Sequence, residues 1–319
     1  MTKRIMLVLH ELEPHLLEAV RGAAPGFEVL TAAEGAVEDR HYAEAEIICG
    51  WNAKAKQLAM QPGTALRWIQ TWGAGIERLP LAAIKERGIW LTNASGVHPK
   101  PISESVFAMV LAFTRKLHVA IRNQQERVWE PARGLGEAHG KTMTILGVGE
   151  IGKEVAKIAK AFGMRVLGVR KSGAPAECVD RMATFGEMAA MLAESDYVVN
   201  CLPLTDETRH IVGKEAFAAM KRSAFYVNIG RGGTTDTDAL VDALREGRIA
   251  GAGLDVFEQE PLPADHPLWA MDNVIMTPHH TGITTEYDRR VADIIVANLA
   301  AYREGREPPV NRIPADRMY

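Results

Sequence analysis

Residues 144–152 read Thr144-Ile145-Leu146-Gly147-Val148-Gly149-Glu150-Ile151-Gly152 and carry the pattern G-x-G-x-x-G. An apolar run at 142–146 precedes the glycines, and a helical pattern at 150–162 follows them. In such a strand–turn–helix unit, Gly147 permits a tight turn, Gly149 lets the backbone approach a pyrophosphate, and Gly152 lets the helix pack close to the strand. The helix N-terminus adds free N–H groups and a partial positive charge. The stretch therefore predicts a dinucleotide-binding turn rather than a glycine-rich turn without a ligand.

Short apolar runs alternate with amphipathic segments on both sides of this turn. Strands are expected at 4–9, 27–30, 46–49, 66–70 and 89–91, and in a second series at 142–146, 165–169, 197–200, 224–229, 251–255 and 274–276. Alternation of this kind predicts βαβ units and mostly parallel sheets. The sequence thus indicates an α/β fold.

Three segments lie outside the two strand series. Residues 101–126 form a long helical pattern rich in Ala, Val, Leu and Phe, which predicts a connecting helix with an apolar face for a domain or subunit interface. Residues 126–140, with Trp129 and three glycines, predict an irregular arm. The helical pattern at 283–301 is expected to pack back on the first domain. The predicted domains are therefore 1–98, completed by 284–319, and 99–283.

Composition excludes several classes of protein. The 319 residues suit about two domains, and 37 Lys and Arg against 40 Asp and Glu give a net charge of −3. This balance offers no electrostatic case for nucleic acid or an anionic membrane. Cys49, Cys178 and Cys201 are too sparse for a disulfide framework or a zinc site, and no metal is expected. Without a membrane-length apolar run or a signal-peptide pattern, the expected location is the cytoplasm.

The strand predicted at 165–169 ends in Arg170, Lys171 and Ser172. Folds that take NAD place Asp or Glu about 20 residues beyond the glycines to bond the ribose 2′-hydroxyl. Two cations and a hydroxyl suit a 2′-phosphate instead, because charge-assisted hydrogen bonds to phosphate are strong. We therefore predict NADP(H) as the preferred cofactor. NAD(H), or use of both, stays open if the two cations are only solvated loop charges.

Three charged side chains follow three later strands: Arg231, Glu260 and His279. In a doubly wound sheet the carboxyl ends of the strands line the ligand crevice, so these groups are expected to converge. Arg231 can grip a substrate carboxylate through two donors, and His279 can give a proton to a carbonyl oxygen. Glu260 can orient the imidazole and favour its charged form. Each residue alone also has a non-catalytic explanation. Arg231 would then lie in a surface turn, Glu260 would be a solvated loop acid, and His279 would be a hydrogen-bonded core histidine. Their order after a dinucleotide turn favours a catalytic trio.

The sequence closely resembles the D-isomer-specific 2-hydroxyacid dehydrogenase family. The resemblance covers nearly the whole chain and is most specific over residues 93–283. The matching stretches are 147–152, Leu202-Pro203-Leu204-Thr205, Gly230-Arg231-Gly232, 253–261, Asp265-His266-Pro267-Leu268-Trp269 and Thr277-Pro278-His279. The resemblance implies two Rossmann-like parallel-sheet domains, a flavodoxin-like substrate domain and a dinucleotide-binding domain, with a cleft between them. It also implies that Arg231, Glu260 and His279 form the family's Arg–Glu–His triad.

The resemblance implies further contacts as well. Asp255 is expected at the nicotinamide carboxamide, and 202–205 at the ribose and adenine. The full set of expected cofactor contacts beyond the glycine turn and Arg170–Ser172 is Leu202, Pro203, Thr208, Ile229, Gly230, Asp255 and Gly282. The loop Trp72-Gly73-Ala74-Gly75 resembles the family's substrate loop, whose backbone N–H groups bind the substrate carboxylate. An ordinary tight turn is the alternative for that loop.

Two residues bear on the choice within the family. His280 stands where the family commonly has an apolar residue, and we choose His279 as the acid because it directly follows Pro278. Glu260 argues against the formate dehydrogenase branch, which pairs Gln with His.

The expected activity is reduction of glyoxylate, hydroxypyruvate or a similar 2-keto acid to the D-2-hydroxy acid, with NADPH as donor. One alternative is an NAD-linked D-2-hydroxyacid or phosphoglycerate dehydrogenase. Another, of a different class, is an NAD(P)-sensing binding protein like the corepressors of this fold. The resemblance also suggests a homodimer built around the long helix and the Trp129 arm.

Overall fold

The structure is a computed structural model and describes residues 4–32, 35, 37–76 and 79–314. The chain divides into two compact units. The first comprises the described residues up to Val97 together with those from Thr284 onward, and the second comprises His98–Ile283. No helix in the described part of the chain is both long and apolar enough to cross a membrane.

The first unit is built on a five-stranded parallel sheet in the order β2-β1-β3-β4-β5, which is the flavodoxin-like order. Its strands are β1 (Arg4–Val8), β2 (Phe27–Thr31), β3 (Ala45–Cys49), β4 (Trp68–Gln70) and β5 (Trp90–Thr92). Its helices are α1 (Pro14–Ala23), α2 (Asp39–Glu44), α3 (Ala53–Leu58), α4 (Leu81–Glu86) and a C-terminal helix, Tyr287–Arg303.

The pleat of β1 shows how this sheet is covered. Met6 and Val8 belong to one buried cluster with Ile295 and Leu299 of the C-terminal helix. Leu7 belongs to a separate cluster on the opposite side. Because successive strand residues point to opposite faces, a fully buried run covered on both sides is what a parallel sheet requires.

The second unit is built on a seven-stranded sheet in the order β12-β11-β10-β9-β6-β7-β8, with every neighbouring pair parallel. Counted from β6, this is the dinucleotide-fold order 3-2-1-4-5-6 with one strand added. The strands are β6 (Thr142–Leu146), β7 (Arg165–Val169), β8 (Arg181–Ala183), β9 (Tyr197–Asn200), β10 (Phe225–Asn228), β11 (Gly251–Leu254) and β12 (Val274–Met276). The predicted class of two parallel-sheet α/β regions is confirmed.

Six α-helices of this unit accompany the strands. They are α5 (Pro99–Thr114), α6 (Leu117–Glu126), α7 (Glu150–Ala161), α8 (Met188–Glu194), α9 (Lys214–Ala219) and α10 (Thr237–Arg245). The amphipathic α7 buries Val155, Ala156 and Ala159. These residues share one buried cluster with Ile145 of β6, so α7 is held against the strand that precedes its own turn.

Two local predictions are wrong, and one strand was missed. The single helix expected at 101–126 is two helices, because Lys116 takes a left-handed conformation (φ 55°) that ends one helix and precedes the next. The strand β8 was not predicted, since it is only three residues long at the sheet edge. The last helix begins at Tyr287 rather than 283, and Ile283 is 77% exposed ahead of it.

Candidate active site

The glycine turn lies between β6 and α7, and each glycine has a different reason to be there. A Cβ on Gly147 (φ 92°) would lie 3.0 Å from the carbonyl group of Cys201, and one on Gly152 would overlap the carbonyl oxygen of Gly147. These two positions admit no side chain. A Cβ on Gly149 would meet nothing within 4 Å. The space beside Gly149 and the adjacent N-terminus of α7 fit a dinucleotide pyrophosphate.

The segments that follow β9, β10 and β11 pack closely on one another. A Cβ on Gly230 would lie 2.5 Å from the carbonyl oxygen of Leu202, and one on Gly232 would overlap that of Phe257. This backbone contact brings the segment that carries Arg231 against the segment that leads to Glu260. The glycines on either side of Arg231 are therefore required by close packing at the carboxyl edge of the sheet.

Glu260 and His279 form a hydrogen-bonded pair. The His279 Nδ1 lies 2.7 Å from Oε2 of Glu260, whose Oε1 accepts the backbone N–H of Phe257 at 2.9 Å. Burial raises the pKa of Glu260, but the hydrogen bonds from His279 and Phe257 outweigh it, so that this pKa lies below its ordinary value. The half-exposed imidazole forms no hydrogen bond through Nε2 with the described residues. That nitrogen is left to serve a ligand.

Asp255 holds the loop that presents His279. Its side chain is buried, and its carboxylate accepts the hydroxyls of Thr277 and Thr281, each at 2.6 Å, and the N–H of His280 at 3.0 Å. His279 itself adopts a left-handed backbone conformation (φ 51°), which costs roughly 1–2 kcal/mol for a residue with a side chain. The buried carboxylate thus stabilises a strained loop at the place where the imidazole is displayed.

Arg231 is exposed and donates through Nη1 to the carbonyl oxygen of Gly230 at 2.8 Å. The structure brings near it a residue that the sequence analysis missed, His98, which directly precedes α5. Burial lowers the pKa of His98, and the positive charge of Arg231 lowers it further. A Cβ on Gly282 would lie 2.9 Å from Cδ2 of His98. His98 has no motif or periodic signal in the sequence, because only the fold brings it close to residues 231 and 282.

The cations at the end of β7 have partners within the protein. The Arg170 guanidinium donates to the carbonyl oxygens of Ala174 (2.7 Å), Pro175 (2.8 Å) and Val148 (3.4 Å), the last of which belongs to the glycine turn. Lys171 pairs with Glu207 at 2.8 Å. Ser172 accepts the N–H of Ala174 at 3.4 Å. Positive charge therefore lies beside the glycine turn, but both cationic side chains already have hydrogen-bond or ion-pair partners within the protein.

Five of the seven cofactor contacts expected beyond the glycine turn and Arg170–Ser172 are buried. They are Asp255 and Gly230 together with Leu202, Thr208 and Ile229, and the last three are each at most 5% exposed. The Thr208 hydroxyl donates to the carbonyl oxygen of Pro203 at 2.6 Å and accepts the N–H of Thr205 at 2.8 Å, which closes the loop after β9. Any contact of these residues with a ligand is limited to backbone atoms or to the few exposed side-chain atoms.

An apolar cavity of about 530 Å³ opens beside the Glu260–His279 pair. Its walls are formed mainly by Phe257, Pro261, Leu262, Trp269 and Met276. The Trp269 indole N–H donates to the carbonyl oxygen of Pro263 at 2.8 Å, which orients the ring. The matched Asp-His-Pro-Leu-Trp stretch thus supplies an aromatic wall near the acid–base pair.

The turn 72–75 belongs to the first unit and has an unusual distribution of hydrogen bonds. Three of its four carbonyl oxygens are occupied: that of Trp72 accepts from Tyr287 (2.6 Å), that of Gly73 from Thr71 (2.6 Å), and that of Ala74 from Asn93 (2.7 Å). Its backbone N–H groups donate to no acceptor among the described residues. A turn whose oxygens are held while its N–H groups stay free suits an anion.

Comparisons with known proteins agree with this geometry. A family model described as D-isomer specific 2-hydroxyacid dehydrogenase, NAD binding domain, matches residues 107–281. The chain is 41% identical over 257 residues to a glyoxylate reductase of Aeropyrum pernix, covering 77% of each chain. Among solved structures, a D-isomer specific 2-hydroxyacid dehydrogenase family protein of Aeromonas salmonicida has a TM-score of 0.81 at 34% identity, covering 99% of this chain and 100% of that one. A D-isomer specific 2-hydroxyacid dehydrogenase of Xanthobacter autotrophicus, solved with NADPH and MES, has a TM-score of 0.78 at 30% identity over 100% of both chains.

Fold, site and similarity together define an NAD(P)-dependent oxidoreductase. The chain belongs to the D-isomer specific 2-hydroxyacid dehydrogenase family. The resemblance inferred from its motifs is confirmed.

Proposed function

We propose that this enzyme reduces a small 2-keto acid (glyoxylate, hydroxypyruvate or a similar one) to the 2-hydroxy acid, of D configuration where the product is chiral, with NADPH as the preferred donor. The observation that carries the proposal is the Glu260–His279 hydrogen bond at 2.7 Å, at the carboxyl edge of the sheet. It leaves the other imidazole nitrogen without a partner among the residues that the structure describes. Further support comes from the relatives that bear the name glyoxylate reductase.

The chain's own residues account for substrate binding and proton delivery. When bound, the nicotinamide supplies a hydride to the carbonyl carbon. His279 donates the Nε2 proton to the carbonyl oxygen, where negative charge develops, and Glu260 keeps the ring in the orientation that presents this nitrogen. Arg231 binds the substrate carboxylate through its planar fork of donors. Residues 147–152 hold the pyrophosphate at the N-terminus of α7.

The turn at Trp72, Gly73, Ala74 and Gly75 is proposed as a further contact of the substrate carboxylate. Support comes from its backbone N–H groups, which have no acceptor among the described residues. The indole of Trp72 is itself fixed, since Nε1 donates to Asp288 at 3.1 Å and the ring stacks on His10 at 4.4 Å. A rigid turn binds an anion at a smaller entropic cost than a mobile one.

The function is tested by assaying a panel of 2-keto acids with NADPH and NADH side by side. Glyoxylate and hydroxypyruvate are expected to be reduced faster than pyruvate or 3-phosphohydroxypyruvate, with a higher kcat/KM for NADPH and an R-configured product from hydroxypyruvate. A reversed cofactor ratio with a phosphorylated or larger keto acid would instead support the NAD-linked alternative. Tight cofactor binding without turnover of any member would support a cofactor-sensing protein.

The NADP preference is tested at Arg170. Replacing Arg170 with Asp is expected to raise the KM for NADPH at least tenfold, worth ~1.4 kcal/mol of binding, while the KM for NADH is unchanged or lower. Since Arg170 also bonds to Ala174 and Pro175, Arg170→Gln and the melting temperatures of both variants serve as controls for local structure. An unchanged NADPH-to-NADH ratio in the folded Asp variant would show that another residue sets the preference.

We also propose a homodimer that is built around α6 and the arm with Trp129, in the cytoplasm. Helix α6 has no buried residue, and its Leu117 and Ile121 are 53% and 48% exposed, while Trp129 of the arm is 99% exposed. Several large exposed apolar side chains in one short segment support an interaction surface. The free thiols of Cys49, Cys178 and Cys201 are compatible with a reducing compartment.

A further inference from the structure

A second cavity, of about 560 Å³, lies in the first unit at the amino ends of its strands. Arg4 begins β1, Arg67 directly precedes β4, and Trp90 begins β5. The turn 72–75 follows the opposite, carboxyl end of β4. The C-terminal helix runs between the two places, with Tyr287 bonded to Trp72 at its start and Arg303 at its end. At 1.5 Å per residue its 17 residues span about 25 Å, so the cavity is separate from the candidate substrate turn.

The charges around this cavity are not balanced. Four arginines line it (Arg4, Arg67, Arg87 and Arg303), and the acid among its described lining residues is Glu46. Glu46 is already engaged, because its two oxygens accept from Arg4 at 2.6 and 2.7 Å and one of them also accepts the Tyr302 hydroxyl at 2.6 Å. The hydrogen bonds from Arg4 hold the pKa of Glu46 below its ordinary value. Arg67 also lowers the pKa of Glu46 through its charge, but among the described residues neither Arg67 nor Arg87 nor Arg303 forms an ion pair with an acid.

These three groups differ in how they are held. Arg87 donates to the carbonyl oxygens of Ala59 (3.1 Å) and Thr64 (3.3 Å) and to the Thr64 hydroxyl (2.8 Å), all of them uncharged acceptors that orient it without neutralising it. The side chains of Arg67 and Arg303 form no hydrogen bond or ion pair with the described residues. Like charges gathered in one concave site repel each other, and a bound anion would offset that repulsion.

One wall of the cavity is aromatic and rigid. Tyr302 is buried, its ring stacks on that of Trp68 at 5.4 Å, and it meets Trp90 edge-on at 5.4 Å. A wall of low polarity strengthens hydrogen bonds between guanidinium groups and an anion relative to open solvent. The cavity volume lies in the range of small-molecule pockets.

We propose that this cavity binds a small oxyanion carrying two or more negative charges, held by Arg67, Arg87 and Arg303. Phosphate esters and di- or tricarboxylates share the required chemistry, because both offer planar pairs of oxygens to a guanidinium fork. The site is independent of the proposed keto acid reduction, and its existence does not depend on which substrate the enzyme takes.

Isothermal titration calorimetry with pyrophosphate and with citrate, each at constant ionic strength and in the presence of saturating NADP⁺, tests the proposal. The bound cofactor keeps pyrophosphate away from the glycine turn. We expect one site per chain, and the tighter of the two probes identifies phosphate or carboxylate as the natural chemistry. Arg67→Gln and Arg303→Gln are each expected to weaken binding at least tenfold.

Arg306→Gln is the matched control, because it removes the same charge three residues after Arg303 from a side chain that is paired with Glu304. Its affinity for the probe should equal that of the wild type, and melting temperatures without the probe check that all three variants fold. Three results would overturn the proposal. Neither probe gives saturable heat, or Arg306→Gln loses as much affinity as the other two variants, or the folded Arg67→Gln and Arg303→Gln variants keep wild-type affinity.

Discussion

At the scale of single residues, the hydrogen bond of His279 to Glu260 determines which imidazole nitrogen is available to a ligand. One of its ring nitrogens is bound to Glu260, so only the other can face a reacting oxygen. The neighbouring histidine has no such partner in the described part of the chain: His280 contributes its backbone N–H to Asp255, and its side chain is exposed. These contacts support our proposal that His279 is the proton donor, while His280 contributes only its backbone to the loop.

Replacing His279 with Ala is expected to lower kcat for keto acid reduction by about 10²-fold or more, because general acid catalysis contributes at least this much. Steady-state kinetics with glyoxylate and NADPH measure the effect. His280→Ala is the matched control, since it removes an exposed imidazole from the same loop and leaves the Asp255 contacts in place. A larger loss in the His280 variant than in the His279 variant would reverse our assignment of the proton donor.

The pKa of Glu260 offers a test that does not depend on activity. Its hydrogen bonds lower this pKa in the folded enzyme, so the carboxylate contributes stability that is present above its unfolded pKa of about 4.3 and is lost as the pH falls through the lower folded value. In His279→Ala the hydrogen bond is absent while burial remains, and the pKa of Glu260 should rise. Titration by carboxyl ¹³C NMR measures it, with His280→Ala as the control that keeps the wild-type value. Equal pKa values in wild type and His279→Ala would mean that the pair does not persist in solution.

At the scale of elements, the glycines in the turn between β6 and α7 have two different roles. Some are required by the packing of the fold, and one leaves space that fits a ligand. A Cβ on Gly152 would overlap the carbonyl oxygen of Gly147, whereas one on Gly149 would face open space. The backbone oxygen cannot move without breaking the strand–helix contact. A methyl group should therefore affect protein stability at Gly152 and cofactor binding at Gly149.

Gly152→Ala is expected to destabilise the enzyme by about 1–3 kcal/mol through overpacking, seen as a fall of several degrees in melting temperature. Gly149→Ala should keep the wild-type melting temperature but weaken cofactor binding at least tenfold, because its methyl group takes the space next to the pyrophosphate. Differential scanning fluorimetry and fluorescence titration with NADPH measure the two effects, and each variant is the control for the other. Wild-type affinity in Gly149→Ala would argue against a pyrophosphate at this turn.

At the scale of the whole molecule, α6 and the arm that follows it combine polar contacts to the second unit, such as the ion pair of Arg122 with Asp272, with exposed apolar side chains. They expose several large apolar side chains that pack into neither of the two sheet cores. Helix α6 is set off from α5 by the left-handed residue Lys116. Contact with a second copy would bury these side chains, which is the basis of the proposed dimer.

Replacing Trp129 with Glu is expected to shift the enzyme from a dimer to the 34.9 kDa monomer, because a charge at the centre of an apolar contact carries a desolvation cost. Size-exclusion chromatography with light scattering gives the mass. Ile283→Glu is the matched control, since Ile283 is 77% exposed and lies outside α6 and the arm. A wild-type mass of one chain, or dissociation in both variants, would contradict an interface at Trp129.

Much of this protein could be predicted from sequence because the decisive signals are local. The glycine turn, the apolar runs of the strands and the residues after them are each short stretches, and parallel strands automatically gather their carboxyl ends at one edge. Those patterns sufficed to predict both sheets, the family, and Arg231, Glu260 and His279 as candidates. Helix 101–126 was predicted wrongly because its apolar pattern runs on through Lys116, where a single left-handed residue divides it.

Other features were decided only by the tertiary structure, since they join residues that are far apart in the chain. Three features depend on such contacts: Asp255 as the anchor of the His279 loop, the effect of the Arg231 charge on His98, and the cavity of Arg67, Arg87 and Arg303. A side chain's partners depend on which backbone segments pack together, whereas a local pattern shows only the tendency of each segment to form a helix, a strand or a turn. For this reason the sequence predicts which groups can react, while the packed fold decides what holds them and which charges are left without a partner.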